Sequence, residues 1–460
     1  MSIKRIEGSP LERVDLVLKA KYIVVPWDSR VIVDGAIAVD HGKVVGIGRE
    51  DEVTSKYRGE EVIERRHHVV LPGFIDGHVH TQQLFLRTSI SDYDLQLPHI
   101  WTEVLIPFEK MLSREEAYLS SLSSILQMIR YGVTFFIEAC APYPEELVKA
   151  IKETGVKGVV TLASYDIYKE ETIDYREIVR RTEDLIRKYH RPGDNVYVWV
   201  SIREIMMSTP ELLEALRDLA LKYKTGITYH LGEYQGEVDY SLLKYGRRPL
   251  EYFEEIGLTM IKPTVIAHGV FFSDHEIEIV RSRGLVIAWC PTIDSIYMAP
   301  HWLAYKYPRY ENYVLCSDGG GFSKLDLLHE AKIAKTISKT INTTLVYDKT
   351  SLDSYSLLKA LTNWKTIISV KELPADLVVI DLEKPLPQPI HSPVEAIIDF
   401  VEGENVNDVL VNGKFLLRNK QYTKIDIEKI NTKIRNIIPE LEEKIRELKR
   451  KLRPPKPFNF

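Results

Sequence analysis

The stretch Val69-Val70-Leu71-Pro72-Gly73-Phe74-Ile75-Asp76-Gly77-His78-Val79-His80 decides the architecture. A β-branched apolar run of this kind fits a buried strand. We place that strand over Val69 to Asp76, with His78 and His80 just beyond its carboxyl end. Residues two apart in an extended chain point to the same face, so the two imidazoles converge. Taken alone, the pair reads as two exposed histidines.

Seven more short apolar runs follow, at Gly132 to Ala139, Lys157 to Ala163, Asn195 to Ile202, Gly226 to His230, Pro263 to Ala267, Leu285 to Cys290 and Asn312 to Ser317. Amphipathic helical stretches separate them. Ser113 to Tyr131, Pro144 to Glu153, Pro210 to Tyr223 and Ser273 to Arg283 open on Ser or Pro, as helix starts do. Eight strand–helix units predict an α/β protein built on a (β/α)8 TIM barrel over residues 69–374.

Both flanks are strand-rich. Val14 to Val25, Val31 to Val39 and Lys43 to Gly48 are separated by turn signals and read as antiparallel strands, and the same texture returns at 375–380, 396–401 and 408–414. The two ends, residues 1–68 and 375–424, are expected to pair into a small composite β-sandwich. Residues 425–460 form a helical extension. Ile427, Ile430, Ile434, Ile437, Leu441, Ile445, Leu448 and Leu452 recur at helical spacing, and Pro439 divides them into two predicted helices clamped onto the barrel.

The 460 residues are 45% hydrophobic and 28% charged, the balance of a globular protein rather than a disordered one. Charges of 61 Lys+Arg against 66 Asp+Glu leave −5, which demands no nucleic-acid partner. No window of about 18 residues is free of charge, so no membrane partner is expected. Cys140, Cys290 and Cys316 are far apart and lack CxxC spacing, so no disulfide framework is expected and a cytoplasmic location fits. The charged terminal helices leave room for a homodimer.

Barrel enzymes carry their chemistry where strands end, and four of the eight predicted ends hold a metal-binding side chain. They are His78 with His80, His230, His268 and Asp318. Three histidines and a carboxylate suit zinc, with a position left open for water. Such an ion lowers the pKa of water towards about 7. Asp318 and Glu233 are placed to accept and deliver protons, and His268 to polarise the bond under attack.

Leu71-Pro72-Gly73-Phe74-Ile75-Asp76-Gly77-His78-Val79-His80, His230-Leu231-Gly232-Glu233, Ala267-His268-Gly269, Trp289-Cys290-Pro291-Thr292 and Ser317-Asp318-Gly319 together resemble the amidohydrolase superfamily. Within it they are most similar to the branch of aromatic-ring deaminases and triazine chlorohydrolases, over roughly residues 10 to 420. The resemblance implies one divalent metal, Zn2+ before Fe2+ or Mn2+, on His78, His80, His230 and Asp318. It makes Glu233 the proton shuttle and His268 the electrophile. The lysine that bridges two ions in binuclear members is absent, since Arg203 follows the fourth strand.

Gln83 and Arg87 match a Gln-x-x-x-Arg run of that branch. Gln83, Arg203, Trp101 and Asp294 are the candidate substrate contacts, with Trp289, Tyr297, Trp302 and Tyr305 as further stacking surfaces and Arg87 as a rim salt bridge. Asp294 stands where the branch has asparagine and is expected near the pocket mouth. The implied activity is hydrolytic deamination of a purine-, nucleoside- or pterin-like heteroaromatic amine. Triazine dechlorination or deamination and cyclic amide hydrolysis are the alternatives on the same site, and a non-catalytic metal-stabilised scaffold is the alternative of another class.

Overall fold

A computed structural model describes residues 11–91, 93, 96–169, 171–297, 312–343, 352–363, 367, 373–383 and 389–452. Eight parallel strands close on themselves. In chain order they are Phe74–His80, Val133–Glu138, Lys157–Val160, a fourth in two pieces (Val196–Val198 and Val200–Ile202), Ile227–Leu231, Thr264–His268, Val286–Trp289, and an eighth made of Tyr313–Leu315 and Asp318–Gly319. Each pairs with the next, and Asp318 opposite Val79 closes the ring. At the break in the fourth strand the Trp199 N–H bonds back to Val160 and the Val200 N–H forward to Gly226.

The first strand differs from its expected position. Residues up to Pro72 belong to Tyr57–Pro72 of the terminal sheet, where Leu71 pairs with Val378, whereas Phe74 onward pairs with Val133 in the barrel. Gly73 is the joint. A Cβ there would lie 2.2 Å from the Thr134 side chain, so the chain passes between sheet and barrel only without one. His78 and His80 consequently lie within the barrel strand, fixed by its ladder.

The helices follow their caps. Ser113 accepts the Glu116 N–H ahead of Arg114–Arg130, and Ser273 does the same for Glu276 ahead of Asp274–Arg283. The segment expected as a strand at 396–401 is instead helix Pro393–Asp399, begun by Ser392, whose side chain accepts the Glu395 N–H. A Ser-Pro-x-Glu start outweighs the β-branched run behind it.

The chain ends meet in one continuously hydrogen-bonded run of eight strands. Glu12–Val25 runs antiparallel to Arg30–Asp40 but parallel to Tyr57–Pro72, which in turn pairs antiparallel with Leu377–Asp381. Leu18, Ile23, Ile37, Val70, Leu377 and Leu410 form its buried face. Arg65 grips the fully buried Asp408 with two hydrogen bonds of 2.6 and 3.1 Å, which ties the early half to the late half. Lys157 on the third barrel strand reaches Asp376 at 2.6 Å and joins barrel to sheet.

One helix, Ile427–Lys451, replaces the expected pair. Pro439 and Arg435, whose carbonyl the proline leaves unbonded, are both exposed, so solvent satisfies the gap without breaking the helix. Its other face buries Leu441 and Leu448 among Leu86, Phe108 and Ala117, and Lys444 reaches the buried Glu116 at 2.6 Å. No helix among the described residues is long and apolar enough to cross a membrane. Replacing Leu448 by Ala is expected to cost about 2–4 kcal/mol by cavity formation, read as a lowered midpoint in denaturant unfolding. A midpoint equal to wild type would mean the helix is not part of the cooperative core.

Candidate active site

Five side chains from four strands meet at the carboxyl end of the barrel. His78 and His80 come from the first strand, His230 from the fifth, His268 from the end of the sixth, and Asp318 from the eighth. Gly77 lets the first strand lie close against the eighth, where a Cβ would sit 2.3 Å from a Val314 methyl group. His268 and Asp318 are held in the left-handed region, at φ 70° and 57°. That conformation costs an L-residue about 1–2 kcal/mol and concentrates at functional sites.

The imidazoles are buried and face one another. His230 Nε2 lies 3.3 Å from His80 Nε2, and Asp318 Oδ1 lies 3.4 Å from His80 Nε2 and 3.6 Å from His78 Nε2. Among the described residues neither nitrogen of His78 has a hydrogen-bond partner, nor does His268 Nε2. Burial pushes His80 and His230 well below the usual histidine range, helped by their histidine neighbours. Burial opposes ionisation of Asp318, but His78, His268 and His80 outweigh it and hold the carboxylate well below its usual range. Neutral imidazoles with inward lone pairs, beside a carboxylate, are the donor set of a divalent cation. His78 with His230 and His268, and His78 with His80 and Asp318, each bring ligand atoms within 4.8 Å of one another.

Around this centre lies a cavity walled by Leu97, Ile100, Trp101, Ile293, Tyr297 and Phe322. Glu233 enters it from the loop after the fifth strand, where Gly232 turns the chain at φ 65°. The N–H groups of Gly232 and Glu233 donate to Glu237 at 3.0 and 2.8 Å. Glu233 Oε1 is 3.9 Å from His268 Nε2, and so is Asp318 Oδ2. Burial alone would lower the pKa of His268, but Glu233, Asp294 and Asp318 lift it to about 10.

Of the candidate substrate contacts, Gln83, Arg203 and Trp101 line the cavity. Arg203 forms a bidentate pair with Glu109 at 2.7 and 3.2 Å, and the Gln83 amide donates to the same carboxylate at 2.8 Å. Gln83 Oε1 and Trp101 Nε1 remain without partners among the described residues. Asp294 is not at the mouth. It is fully buried at the start of helix Pro291–Tyr297 and binds His268 Nδ1 at 2.9 Å, so it orients the imidazole from behind.

Other expectations are corrected. Among the described residues Arg87 makes no salt bridge. Its guanidinium binds the carbonyls of Gly320 at 3.0 Å and Ser323 at 2.8 Å, bracing the loop beyond Asp318. Trp289 is buried against Tyr313 rather than in the cavity, whereas Tyr297 lines it. Trp302 and Tyr305 lie outside the described residues. Cys290 and Cys316 are joined in a disulfide with Cα atoms 4.7 Å apart, because the seventh and eighth strands end side by side despite a sequence separation of 26.

Several supports went unread in the sequence. Asp76 accepts the Ser317 N–H at 3.1 Å and its hydroxyl, pinning the first strand to the eighth. Glu138, at the end of the second strand, accepts the Thr81 N–H and hydroxyl at 3.1 and 2.6 Å directly after His80. Glu109 and Glu204 were also missed. Glu204 was visible as an acid at the fourth strand's end, while Glu109 carried no signal because its helix lies 94 residues from Arg203.

A family model described as the amidohydrolase family matches residues 69–364, and the chain belongs to that family. It is 29% identical over 397 residues to a 5-methylthioadenosine/S-adenosylhomocysteine deaminase of Thermoanaerobacter pseudethanolicus, covering 82% of this chain and 88% of the relative. Its fold matches a zinc-bound adenosine deaminase from Xanthomonas campestris with a TM-score of 0.85 at 22% identity, over 94% of this chain and 100% of the other. It also matches the zinc complex of an atrazine chlorohydrolase from Arthrobacter aurescens, at 0.80 and 18% identity over 94% and 100%.

Behind Asp294, Glu330 accepts the Thr292 N–H at 2.9 Å and is pushed up to about 8 by burial. In the unfolded chain this group ionises near pH 4.5, so folding loses stability as pH rises from there through 8. Glu330→Gln is expected to match wild type in thermal unfolding at pH 5 and to exceed it at pH 8 by on the order of 3 kcal/mol. A gap that stays constant across this range would contradict the assignment.

Proposed function

We propose that the protein removes the exocyclic amino group of a purine-like heteroaromatic amine by hydrolysis, with an adenosine-type ring as substrate class. The supporting observation is the convergence of His78, His80, His230 and Asp318, with both nitrogens of His78 unpaired among the described residues, beside a cavity that also receives Glu233. Deaminases of adenosine-like molecules among its relatives support the choice of ring.

His78, His80, His230 and Asp318 would hold one divalent cation, zinc before Fe2+ or Mn2+. When bound, it supplies Lewis acidity and makes a water nucleophilic at neutral pH. Glu233 carries a proton from the attacking water to the ring nitrogen beside the amino-bearing carbon. Asp318 takes the second proton and returns it to the departing amine, so that ammonia leaves. His268, steadied by Asp294, hydrogen-bonds the attacking oxygen. The apolar wall of Leu97, Ile100, Trp101 and Phe322 excludes bulk water and stacks on the ring.

Metal analysis of the purified protein is expected to give one equivalent of divalent metal, and chelation to abolish turnover that added zinc restores. Ammonia and chloride, scored separately for 5′-methylthioadenosine, adenosine, guanine, a pterin and a chlorotriazine, decide between deamination and dechlorination. Absence of ammonia from every amine, with metal loaded, would overturn the reading. Replacing Glu233 by Gln is expected to lower kcat about 10²–10⁴-fold with metal content unchanged. Turnover at the wild-type rate in that variant would remove Glu233 from the proton path.

A further inference from the structure

Glu204 follows Arg203 at the carboxyl end of the fourth strand, in extended conformation, and a one-turn helix at Ile205–Met207 begins directly after it. Its backbone is rigid, because its carbonyl accepts the Ser208 hydroxyl at 2.8 Å and the Met207 N–H at 3.2 Å. The side chain lines the cavity, is 2% exposed in a site otherwise crowded with acids, and has no partner for Oε2 among the described residues. Its carboxyl and that of Glu233 line the same cavity as close neighbours, each with an Oε2 that has no partner among the described residues. Two carboxyl groups in such contact share one proton, since an ionised carboxylate only accepts.

Glu233 needs such a partner. Glu237 fixes the amides of Gly232 and Glu233, but it holds only the backbone of the loop. The side chain is otherwise 3.9 Å from His268, beyond hydrogen-bond length, and its Oε2 is unpaired. A carboxylate that must meet a water on one side and a ring nitrogen on the other works only when its plane is fixed, and misplacement by about 1 Å costs about 100-fold.

We propose that Glu204 is a positioning residue, which carries the shared proton and donates its O–H to Glu233 so that this carboxylate stays turned toward the cavity. The assignment rests on the proton-transfer role proposed for Glu233. Which carboxyl keeps the proton follows from the surroundings: burial, and then the facing Glu233, push Glu204 well above the usual range for a carboxyl. The amide of a glutamine at 204 can make the same donation, and a leucine cannot.

The test uses the metal-loaded full-length protein in three forms, wild type, Glu204→Gln and Glu204→Leu, with 5′-methylthioadenosine as probe. Glu204→Leu is expected to lower kcat about 100-fold with KM near wild type, and Glu204→Gln to restore most of the loss. A rise in KM with kcat preserved would make Glu204 a substrate contact and overturn the proposal, as would a glutamine variant no better than leucine. Infrared difference spectra of wild type against Glu204→Gln give a readout that needs no substrate and no leucine variant. The carbonyl stretch of one protonated, buried carboxyl is expected to vanish, and its persistence would overturn the assignment. If wild type leaves 5′-methylthioadenosine untouched, the substrate reading fails while the infrared result still decides the role of Glu204.

Discussion

Lone pairs that face one another inside a protein need something between them. His80 and His230 present Nε2 atoms 3.3 Å apart, both imidazoles are kept neutral by burial, and the nitrogens of His78 have no partner among the described residues. Without a cation this arrangement is a cluster of desolvated acceptors that costs free energy. With one, the same burial and convergence become the site's strength, because a low-dielectric cage holds a divalent ion tightly. The rest of the structure serves this requirement.

The supporting structure is mostly carboxylates arranged behind the reactive groups. Asp76 locks the first strand to the eighth, Glu138 holds the turn after His80, Asp294 fixes the ring of His268, and Glu237 shapes the loop that carries Glu233. Each accepts N–H or O–H donors in a dry interior, so each is a costly group kept for geometry. Glu109 plays the corresponding part for the polar side of the cavity, where one carboxylate receives both Arg203 and Gln83. The guanidinium is thereby neutralised before any ligand arrives, and Gln83 keeps its oxygen unpaired among the described residues.

Where the reading of the sequence went astray, a tertiary contact had overruled a local pattern. The run through Val69 to Asp76 looks like one strand, yet Gly73 hands it from the terminal sheet to the barrel because only glycine clears Thr134. Pro439 does not end its helix, since the carbonyl it orphans faces solvent while Leu441 and Leu448 stay anchored. Asp294 looked like a carboxylate at the pocket mouth, but the turn into helix Pro291–Tyr297 points it inward to His268. Cys290 and Cys316 are distant along the chain and adjacent in the barrel.

Amino-acid order alone determined the alternation of strands and helices, and with it the barrel, because hydrophobic periodicity and caps are local properties. It also marked His78, His80, His230, His268, Glu233 and Asp318, since barrel chemistry gathers at strand ends. Only the tertiary structure decided which of them face one another, how the two chain ends share a single sheet, and which acids, Glu109 and Glu204 among them, stand behind the reactive groups. Those relations join residues tens to hundreds of positions apart, and no pattern within a strand or helix encodes a contact that exists only once the ring has closed.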